Sequence, residues 1–398
     1  MNLKLIFIQF VCQNEGSDFL KTNKHITKVR EWMRGNDVDA VIVTNPANQF
    51  YLSGFKALIY SRPILLIIEG KDTAFIIPGL EEKHARADAE VDKLYVYHEY
   101  PEGVKGAEDP TELLKNHLAA KHSKGSKIAF DLAYASAALT ESIRATGFEL
   151  VDATEQISKM RYIKDQYEIE LMEEAGRLVG LAVEATLRAA APGVTELEVD
   201  AKGNAVLFSE TVKKHPNATL DLTVMTPSGN VRTVMPHVFS NTRKLQEGDV
   251  VIHSRQVGFN GYRAELERTF IVGEASDIQR KAFEAARKAQ EAALEVIKPG
   301  IAAKEVDLVA RKVLEREGFA KYAIHRVGHA IGVFSHEEPY LRFDSSLQLE
   351  EGMVFCIEPG IYIPEVGGFR HSDTVIITAD GYRFITDFPR DLESLTKY

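Results

Sequence analysis

The sequence predicts two domains, a smaller α/β domain followed by a larger α+β domain. Its 398 residues exceed the usual length of one domain, about 150 residues. In the first part, helical patterns alternate with short apolar runs, which is typical of a partly parallel sheet covered by helices. In the second part, long helical patterns are interleaved with strands joined by tight turns, an order typical of α+β domains. We expect the two domains to comprise residues 20–156 and 157–398.

The elements of the N-terminal domain follow one another closely. The helical pattern ITKVREWMRGN precedes the apolar run DAVIVTN, and two further apolar runs, ILLIIEG and TAFIIPG, are separated by only two polar residues. A second helical pattern, ELLKNHLAAKH, leads into KIAFD. The residue pattern changes near residue 157, where one long helical pattern begins. This pattern ends at Pro192-Gly193, because proline cannot continue a helix. Two more helical patterns then alternate with strand-like segments up to the C-terminus.

Composition and charge exclude several classes of protein. The 58 acidic residues outnumber the 48 basic ones, so no basic face for nucleic acid is expected. The chain contains no apolar run of about eighteen residues, so no membrane span is predicted. The one candidate targeting segment, residues 3–12, is short and no small-residue cleavage site follows it. Cys12 and Cys356 form no CxxC pair, and we expect a reducing, cytoplasmic location.

Residues 248–273 predict a β-hairpin with a defined register. Asn260-Gly261 stands between two β-rich runs, and this dipeptide is typical of a two-residue type I′ turn. A loop of two residues fixes which residues lie opposite each other along both strands. Counting outward from the turn predicts the pairs Phe259–Tyr262, Gln256–Glu265, Ser254–Glu267 and His253–Arg268.

Side chains alternate along a strand, so one face of this hairpin carries Ser254, Gln256, Glu265 and Glu267. Two carboxylates two positions apart on one face repel each other unless water or a cation surrounds them. That face is therefore either a solvated outer surface or part of a functional site, and the pattern leaves both interpretations open. His253 lies on the opposite face, where we expect a structural role.

Two later segments contain polar residues that periodicity does not explain. In HRVGHAIGVFSHEEPYL, Gly328 and Gly332 flank His329, and His336 follows. Glycine permits the close backbone approach that a site needs, whereas a core histidine does not require it. In GMVFCIEPG, Glu358 interrupts an apolar strand, and burying an unpaired charge is costly. Both segments are therefore candidates for a functional site.

Several of these motifs, in this order, resemble the creatinase, prolidase and aminopeptidase P family. The likeness is carried by GHAIGV, SHEEP and GMVFCIEPGIYIP, and NQFYLSGF and PGLEEKHA extend it weakly into the N-terminal half. The resemblance implies an α+β pita-bread catalytic domain at the C-terminus, preceded by a smaller α/β creatinase-type domain. Peptidases of this family hold two metal ions with two aspartates, one histidine and two glutamates. Those five positions fall here on Ser254, Glu265, His329, Glu358 and Ser372.

Only His329 and Glu358 match that ligand set in kind. Two ligand positions are serines, and neutral hydroxyls are poor ligands for the metals that such sites bind. We therefore expect no resident metal or other cofactor. This departure resembles the metal-free creatinase branch, which hydrolyses a C–N bond in creatine. Tyr340, however, stands where creatinases have an arginine, so creatine itself is not implied as the substrate.

The creatinase resemblance also implies roles for individual residues. AELERT resembles the creatinase segment that binds the guanidinium group, which implies that Glu267 and Glu358 bind a cationic group, with Glu265 beside them. VMPHVFSNTR supplies His237 at the position of the catalytic histidine. Tyr60-Ser61-Arg62 is similar to an element that binds the substrate carboxylate. The resemblance further implies a homodimer, in which the partner's N-terminal domain completes the active site.

The leading hypothesis is a metal-independent hydrolase that cleaves a C–N bond in a small cationic or zwitterionic substrate. Its catalytic candidates are His237, His329 and His336, since imidazole transfers protons near neutral pH. One alternative is an Xaa-Pro dipeptidase or aminopeptidase with a reduced metal site. Another is a non-catalytic binding protein on the same scaffold, because a fold does not guarantee a chemistry.

Overall fold

The structure is a computed structural model that describes residues 19–100 and 108–396. Cys12 and the candidate targeting segment 3–12 lie outside the described residues. The chain forms two compact units, Met1–Met160 and Arg161–Tyr398. The first is an α/β unit and the second an α+β unit, so the predicted fold classes are confirmed. Within the described residues, no helix is long and apolar enough to cross a membrane.

The N-terminal unit is built on a six-stranded sheet of order β4-β3-β2-β1-β5-β6. Its strands are β1 (Ala40–Val43), β2 (Leu65–Glu69), β3 (Thr73–Pro78), β4 (Lys93–Tyr97), β5 (Lys127–Phe130) and β6 (Glu149–Asp152). Its helices are α1 (Phe19–Asn36), α2 (Pro46–Ser53), α3 (Glu82–Asp88), α4 (Pro110–Lys121), α5 (Ala137–Arg144) and α6 (Thr154–Met160).

This first sheet is partly parallel, as the alternating pattern predicted. Strand β1 is parallel to β5 and antiparallel to β2, while β3 is parallel to β4. The apolar runs of β1, β2 and β3 are buried along their whole lengths, which is typical of strands covered on both faces. Ile42, Ile67 and Phe130 form one core with Leu114 and Leu118 of α4.

The C-terminal unit contains an eight-stranded sheet of order β11-β10-β12-β15-β9-β8-β7, in which β16 also pairs with β15. Its strands are β7 (Leu220–Met225), β8 (Val250–Phe259), β9 (Tyr262–Ile271), β10 (Gly328–Ala330), β11 (Glu337–Leu341), β12 (Val354–Ile357), β15 (Ser372–Ile377) and β16 (Tyr382–Phe384), with a separate pair β13 (Gly360–Ile363) and β14 (Gly367–Arg370). Its helices are α7 (Gln166–Ala189), α8 (Glu196–Lys214), α9 (Gly229–Arg232), α10 (Asp277–Val296), α11 (Ala303–Arg316) and α12 (Leu392–Thr396).

The prediction of one long helix beginning near residue 157 is wrong. Helix α6 ends at Met160, and α7 begins only at Gln166. The break is stabilised by a capping box, in which the Asp165 side chain accepts from the Glu168 amide at 3.1 Å and the Glu168 side chain accepts from the Asp165 amide at 2.8 Å. These bonds satisfy amides that the first turn of α7 would otherwise leave unpaired.

The predicted hairpin register is confirmed. Asn260 and Gly261 have φ angles of 46° and 91°, as a type I′ turn requires. All four predicted pairs between β8 and β9 are present, from Phe259–Tyr262 outward to His253–Arg268. Strand β15 then lies beside β9, with Ser372 opposite Glu267, so that two distant segments of the sequence meet at the middle of the sheet.

Candidate active site

The polar face of the hairpin is buried, so the interpretation of a solvated outer face is wrong. Glu265 and Glu267 are only 3% and 2% exposed, and Ser254 and Gln256 beside them are also buried. His253 is buried on the opposite face, where it contacts the hydroxyl of Thr226. Burying two carboxylates this close together is costly unless each has partners.

Glu265 obtains its partners from neighbouring polar side chains. Its Oε2 accepts from Gln256 Nε2 at 2.5 Å, and its Oε1 accepts from Ser372 Oγ at 2.7 Å. Burial, followed by repulsion from Glu267, raises the pKa of Glu265 to about 7. Both oxygens of this carboxylate are therefore hydrogen-bonded by groups of the protein itself.

Glu267 is neutralised by an arginine. Arg370 Nε and Nη2 donate to its two carboxylate oxygens at 2.6 and 2.7 Å. Burial opposes ionisation of Glu267, but the charge and hydrogen bonds of Arg370 outweigh it and lower the pKa, with Ser254 as a further donor. The resemblance implied that Glu267 binds a cationic group of the substrate. In the structure, the charge of Glu267 is already paired with Arg370.

Arg370 also begins a hydrogen-bond chain that leads to a histidine. Its Nη1 donates to the Tyr362 hydroxyl at 2.9 Å, and that hydroxyl lies 2.9 Å from His325 Nε2. Since His325 Nδ1 lies 2.7 Å from a carbonyl oxygen, Nδ1 carries the proton and Nε2 accepts from Tyr362. Burial, followed by the charge of Arg370, lowers the pKa of His325 to about 4.

His329, His336 and Glu358 form the other side of the site. The rings of His329 and His336 are stacked with centroids 3.8 Å apart. His329 Nδ1 lies 2.9 Å from the Ala330 carbonyl oxygen, so Nε2 carries a lone pair that faces Glu358 Oε1 at 3.4 Å. Burial and the charge of His336 lower the pKa of His329 to about 3, while burial and the neighbouring Glu265 raise the pKa of Glu358 well above its usual range.

These groups open into a cavity of about 200 Å³ within the C-terminal unit. Glu358 is the carboxylate that reaches it, with a side chain that is 12% exposed. The charged and titratable side chains that line the cavity are His237, His325, Arg326, His336, Glu358 and Arg370. A concave space with several convergent polar groups is the form that small-molecule sites take.

The comparisons with known proteins identify the family. The profile of Metallopeptidase family M24 matches residues 170–379, and the Creatinase/Prolidase N-terminal domain matches residues 25–163. The chain belongs to the M24 metallopeptidase family. The predicted family resemblance and the order of its two domains are therefore confirmed, while the metal-free creatinase branch remains a prediction.

Relatives within the M24 family match along nearly the whole chain. The Xaa-Pro dipeptidase of Pyrococcus furiosus is 31% identical over 370 residues, which cover 93% of this chain and 99% of that one. The crystal structure of the prolidase from Pyrococcus horikoshii superposes with a TM-score of 0.81 at 28% identity, covering 93% of this chain and all of that one. The prolidase of Thermococcus sibiricus gives a TM-score of 0.83 at 26% identity, covering 95% and 99%.

The donor atoms of this M24 chain do not fit a two-metal centre. Ser372 Oγ is used as a donor to Glu265, and Ser254 hydrogen-bonds to Glu267. Glu267, which pairs with Arg370 through both oxygens, is not one of the five ligand positions. Among the described residues, His329 Nε2 has no hydrogen-bond partner, and His329, His336 and Glu358 each offer one ligand atom within 4.8 Å of the others. Three such groups would suit one ion rather than two.

The structure brings the predicted site residues of the C-terminal unit together. His237, His336 and Glu358 line the cavity, and Glu265, Glu267 and His329 each have a ligand atom within 4.8 Å of a Glu358 oxygen. Tyr60 and Arg62 belong to the N-terminal unit, where Tyr60 is 85% exposed and Arg62 pairs with Glu99 at 2.7 Å. Their part in an active site remains a prediction.

Sequence analysis missed four residues of the site: His325, Arg326, Tyr362 and Arg370. A usable signal existed for Arg370, because two carboxylates on one buried face require a cation nearby. Arg370 stands two residues before Ser372, which the family resemblance placed in the same site as Ser254 and Glu265. His325 and Arg326 lie in the segment that was singled out for His329, but no residue pattern identifies them individually.

Proposed function

We propose that this M24 chain hydrolyses a C–N bond in a small cationic or zwitterionic substrate without a two-metal centre. The observation that carries the proposal is the bonding of Glu265, because Gln256 and Ser372 already donate to both of its oxygens and the ligand positions Ser254 and Ser372 supply no carboxylate. The carboxylates of the site are thus hydrogen-bonded by fixed protein groups, and such preorganised groups can stabilise a transition state without reorganising.

In the proposed mechanism, Glu358 binds the cationic nitrogen of the substrate, since it is the carboxylate that reaches the cavity, and it releases its proton to water as the substrate cation arrives. The adjacent carbon becomes electron-poor and open to attack by water. His336 accepts the proton that the attacking water loses, and His237 donates a proton to the leaving nitrogen. A C–O bond forms and the C–N bond breaks, so protons balance and no electron donor is required. His329 stacks on His336 and fixes the plane of its ring.

The second candidate is an Xaa-Pro dipeptidase with one metal ion, and the relatives favour it. Two independent observations support this reading: proteins named Xaa-Pro dipeptidase or prolidase match along more than nine-tenths of the chain, and His329 Nε2 has no hydrogen-bond partner among the described residues. In this case His329, His336 and Glu358 would hold the ion, which would supply Lewis-acid chemistry to the scissile amide.

A substrate screen with purified protein, with and without a chelator, separates the candidates. Small guanidino compounds, cyclic amidines and N-methyl amino acids are tested beside X-Pro dipeptides, with metal content measured in parallel. We expect turnover within the first group, unchanged by chelation, and well under one equivalent of Zn, Mn, Co or Fe. Turnover of X-Pro dipeptides that chelation abolishes and Mn²⁺ or Co²⁺ restores would establish the second candidate. Ligand binding without turnover would identify a binding protein.

A further inference from the structure

His237 lies in a described segment, residues 233–249, that forms neither helix nor strand. Helix α9 ends at Arg232, β8 begins only at Val250, and His237 reaches the cavity from the segment between them. Phe239, two residues further on, is 73% exposed, so apolar packing does little to fix this part of the chain. A side chain that transfers a proton must stay within hydrogen-bond reach of its target, so other contacts have to position the segment.

A buried carboxylate at the start of α8 connects the two sides of this segment. Glu196 is fully buried, and its Oε1 accepts from the amide and the hydroxyl of Ser228 at 2.8 and 2.6 Å. Its Oε2 accepts from the amide of Asn241 at 2.9 Å. Ser228 precedes His237 in the chain and Asn241 follows it. One side chain therefore ties both sides of the His237 segment to the same helix.

Arg232 extends this contact to the residues next to His237. Its Nε and Nη2 donate to the two carboxylate oxygens of Glu196 at 3.1 and 2.9 Å, and Nη2 also donates to the Phe239 carbonyl oxygen at 2.6 Å. The two-point contact with the carboxylate fixes the plane of the guanidinium group. Glu196 thus sets the position of the Phe239 carbonyl through Arg232.

Asp200, one turn further along α8, binds the same segment at a second point. It is only 4% exposed, it accepts from the Thr226 hydroxyl, and the Ser240 hydroxyl is a further hydrogen-bond partner. Ser240 Oγ in turn accepts from the Thr226 amide at 2.8 Å. Since residues four apart lie on one face of a helix, α8 presents Glu196 and Asp200 together to the His237 segment. Side chains on a helix position a site more precisely than side chains on loops.

We propose that Glu196 is a positioning residue for His237, which keeps the imidazole at the cavity. This inference rests on the proposed function, because it takes His237 to donate a proton to the substrate. A carboxylate that served only to cap α8 would be bonded by its own neighbours, whereas the donors to Glu196 lie 32 to 45 positions away. A displacement of about 1 Å can cost a factor of about 10² in rate, so the loss should appear in kcat.

Glu196→Gln keeps the shape of the side chain, removes its charge and turns one acceptor into a donor. With the substrate that the screen identifies, kcat should fall about 10²-fold while KM changes by less than about threefold. In a His237→Ala background the same substitution should lower kcat by less than about threefold, because residues that act through one group are not additive. Arg232→Lys keeps the charge but loses the two-point contact, and it should lower kcat by about tenfold.

Glu198→Gln is the matched control, because Glu198 lies in the same turn of α8 but is exposed and accepts from the Thr195 amide at 2.8 Å. It should leave kcat unchanged. Hydrogen exchange measured by mass spectrometry tests the segment without turnover. In Glu196→Gln the amides of residues 233–240 should exchange at least about tenfold faster than in the wild type, whereas those of β8 and β9 should not change.

The inference is overturned if folded Glu196→Gln keeps kcat within about threefold of the wild type, or if it lowers kcat by the same factor with and without His237. Should Glu196→Gln fail to fold, Arg232→Lys decides by the same criteria. If the screen finds no substrate, the proposed hydrolase is refuted. Faster exchange confined to residues 233–240 would then still uphold the positioning by Glu196, and unchanged exchange would refute it.

Discussion

Arg370 and Glu267 form a buried bidentate ion pair at the centre of the candidate site, with N–O distances of 2.6 and 2.7 Å. The two residues are 103 positions apart in the sequence. The pair neutralises one of three carboxylates that face one another, and it anchors the Tyr362 hydroxyl through the remaining donor of Arg370. The site therefore depends on Arg370 for both its charge balance and its geometry.

Arg370→Met should destabilise the protein by about 3–5 kcal/mol, because it leaves the Glu267 carboxylate buried without a cation. Urea denaturation measures the change in the free energy of unfolding. The double variant Arg370→Met/Glu267→Leu should recover much of the loss, since apolar side chains can replace a buried ion pair at little cost. Arg383→Met is the control, because Arg383 and Glu173 are nearly half exposed and should contribute at most about 1 kcal/mol. If Arg370→Met lowered the free energy of unfolding by less than Arg383→Met does, the structural role of the Arg370–Glu267 pair would be contradicted.

Restoring carboxylates at the two serine positions should create a metal site. Ser254→Asp/Ser372→Glu should bind Mn²⁺ or Co²⁺ with at least tenfold higher affinity than the wild type, because hard and borderline ions prefer carboxylate oxygens to hydroxyls. Calorimetry and metal analysis after dialysis measure the difference. Ser254→Asn/Ser372→Gln has nearly the same shape without the charges and should gain no affinity. Stoichiometric, tightly bound metal in the wild-type protein would show that the donor set has been misjudged.

His237→Ala should lower kcat by about 10²- to 10⁴-fold while the affinity for substrate persists, because a positioned acid–base group contributes about that factor to the rate. The substrate is the compound that the screen identifies, and single-turnover kinetics separate binding from chemistry. His215→Ala is a suitable control, since that histidine pairs with Glu174 outside the cavity lining. A folded His237→Ala protein that retains more than a tenth of wild-type turnover would place the proton donor elsewhere.

The protein should lose stability in acid partly through a cluster around Glu69 in the N-terminal unit. Glu69 accepts from Lys121 and lies 3.0 Å from His122 Nε2; although burial opposes its ionisation, these partners lower its pKa. The stabilisation is therefore fully present above the ordinary glutamate pKa and is lost as the pH falls through the lower value of the folded state. Thermal unfolding of Glu69→Gln should depend less steeply on pH below about 4.5 than that of the wild type. Glu141→Gln, at an exposed position, should leave the slope unchanged.

The protein should be a homodimer if the partner's N-terminal domain contributes Tyr60 and Arg62 to the site. Light scattering should then give about twice the chain mass of 44.4 kDa. Arg62→Ala should weaken substrate binding without lowering the melting temperature, whereas Arg86→Ala, an exposed arginine of α3, should change neither. A stable monomer with full activity would rule out a shared site.

The sequence predicts those parts of the fold that depend on interactions between residues close together in the chain. The Asn260-Gly261 turn fixes the register of β8 and β9 within a few residues, and all four predicted pairs are present. The break before α7 was also within reach, because Asp165 and Glu168 have the spacing of a capping box.

The rest of the site depends on contacts between distant segments. Whether the face of Glu265 and Glu267 is wet or buried depends on β15, which starts more than one hundred residues later. Similarly, Arg326 and Tyr340 meet only because β10 and β11 pair, and no local pattern predicts that the arginine faces the cavity. Spacing along the chain therefore located the site but not the ion pairs that define its chemistry.

The hydrogen bond from Ser372 to Glu265 also restricts how this site can evolve. Ser372→Glu alone would replace a donor by an acceptor and set two buried carboxylates against each other, so the single mutant is less stable unless a metal ion is bound. Ser254→Asp alone would bring a further charge beside Glu267, which already has its cation. Each substitution towards a two-metal centre thus adds a buried negative charge that only a bound cation can offset, so the serine pair makes the protein stable in the absence of metal.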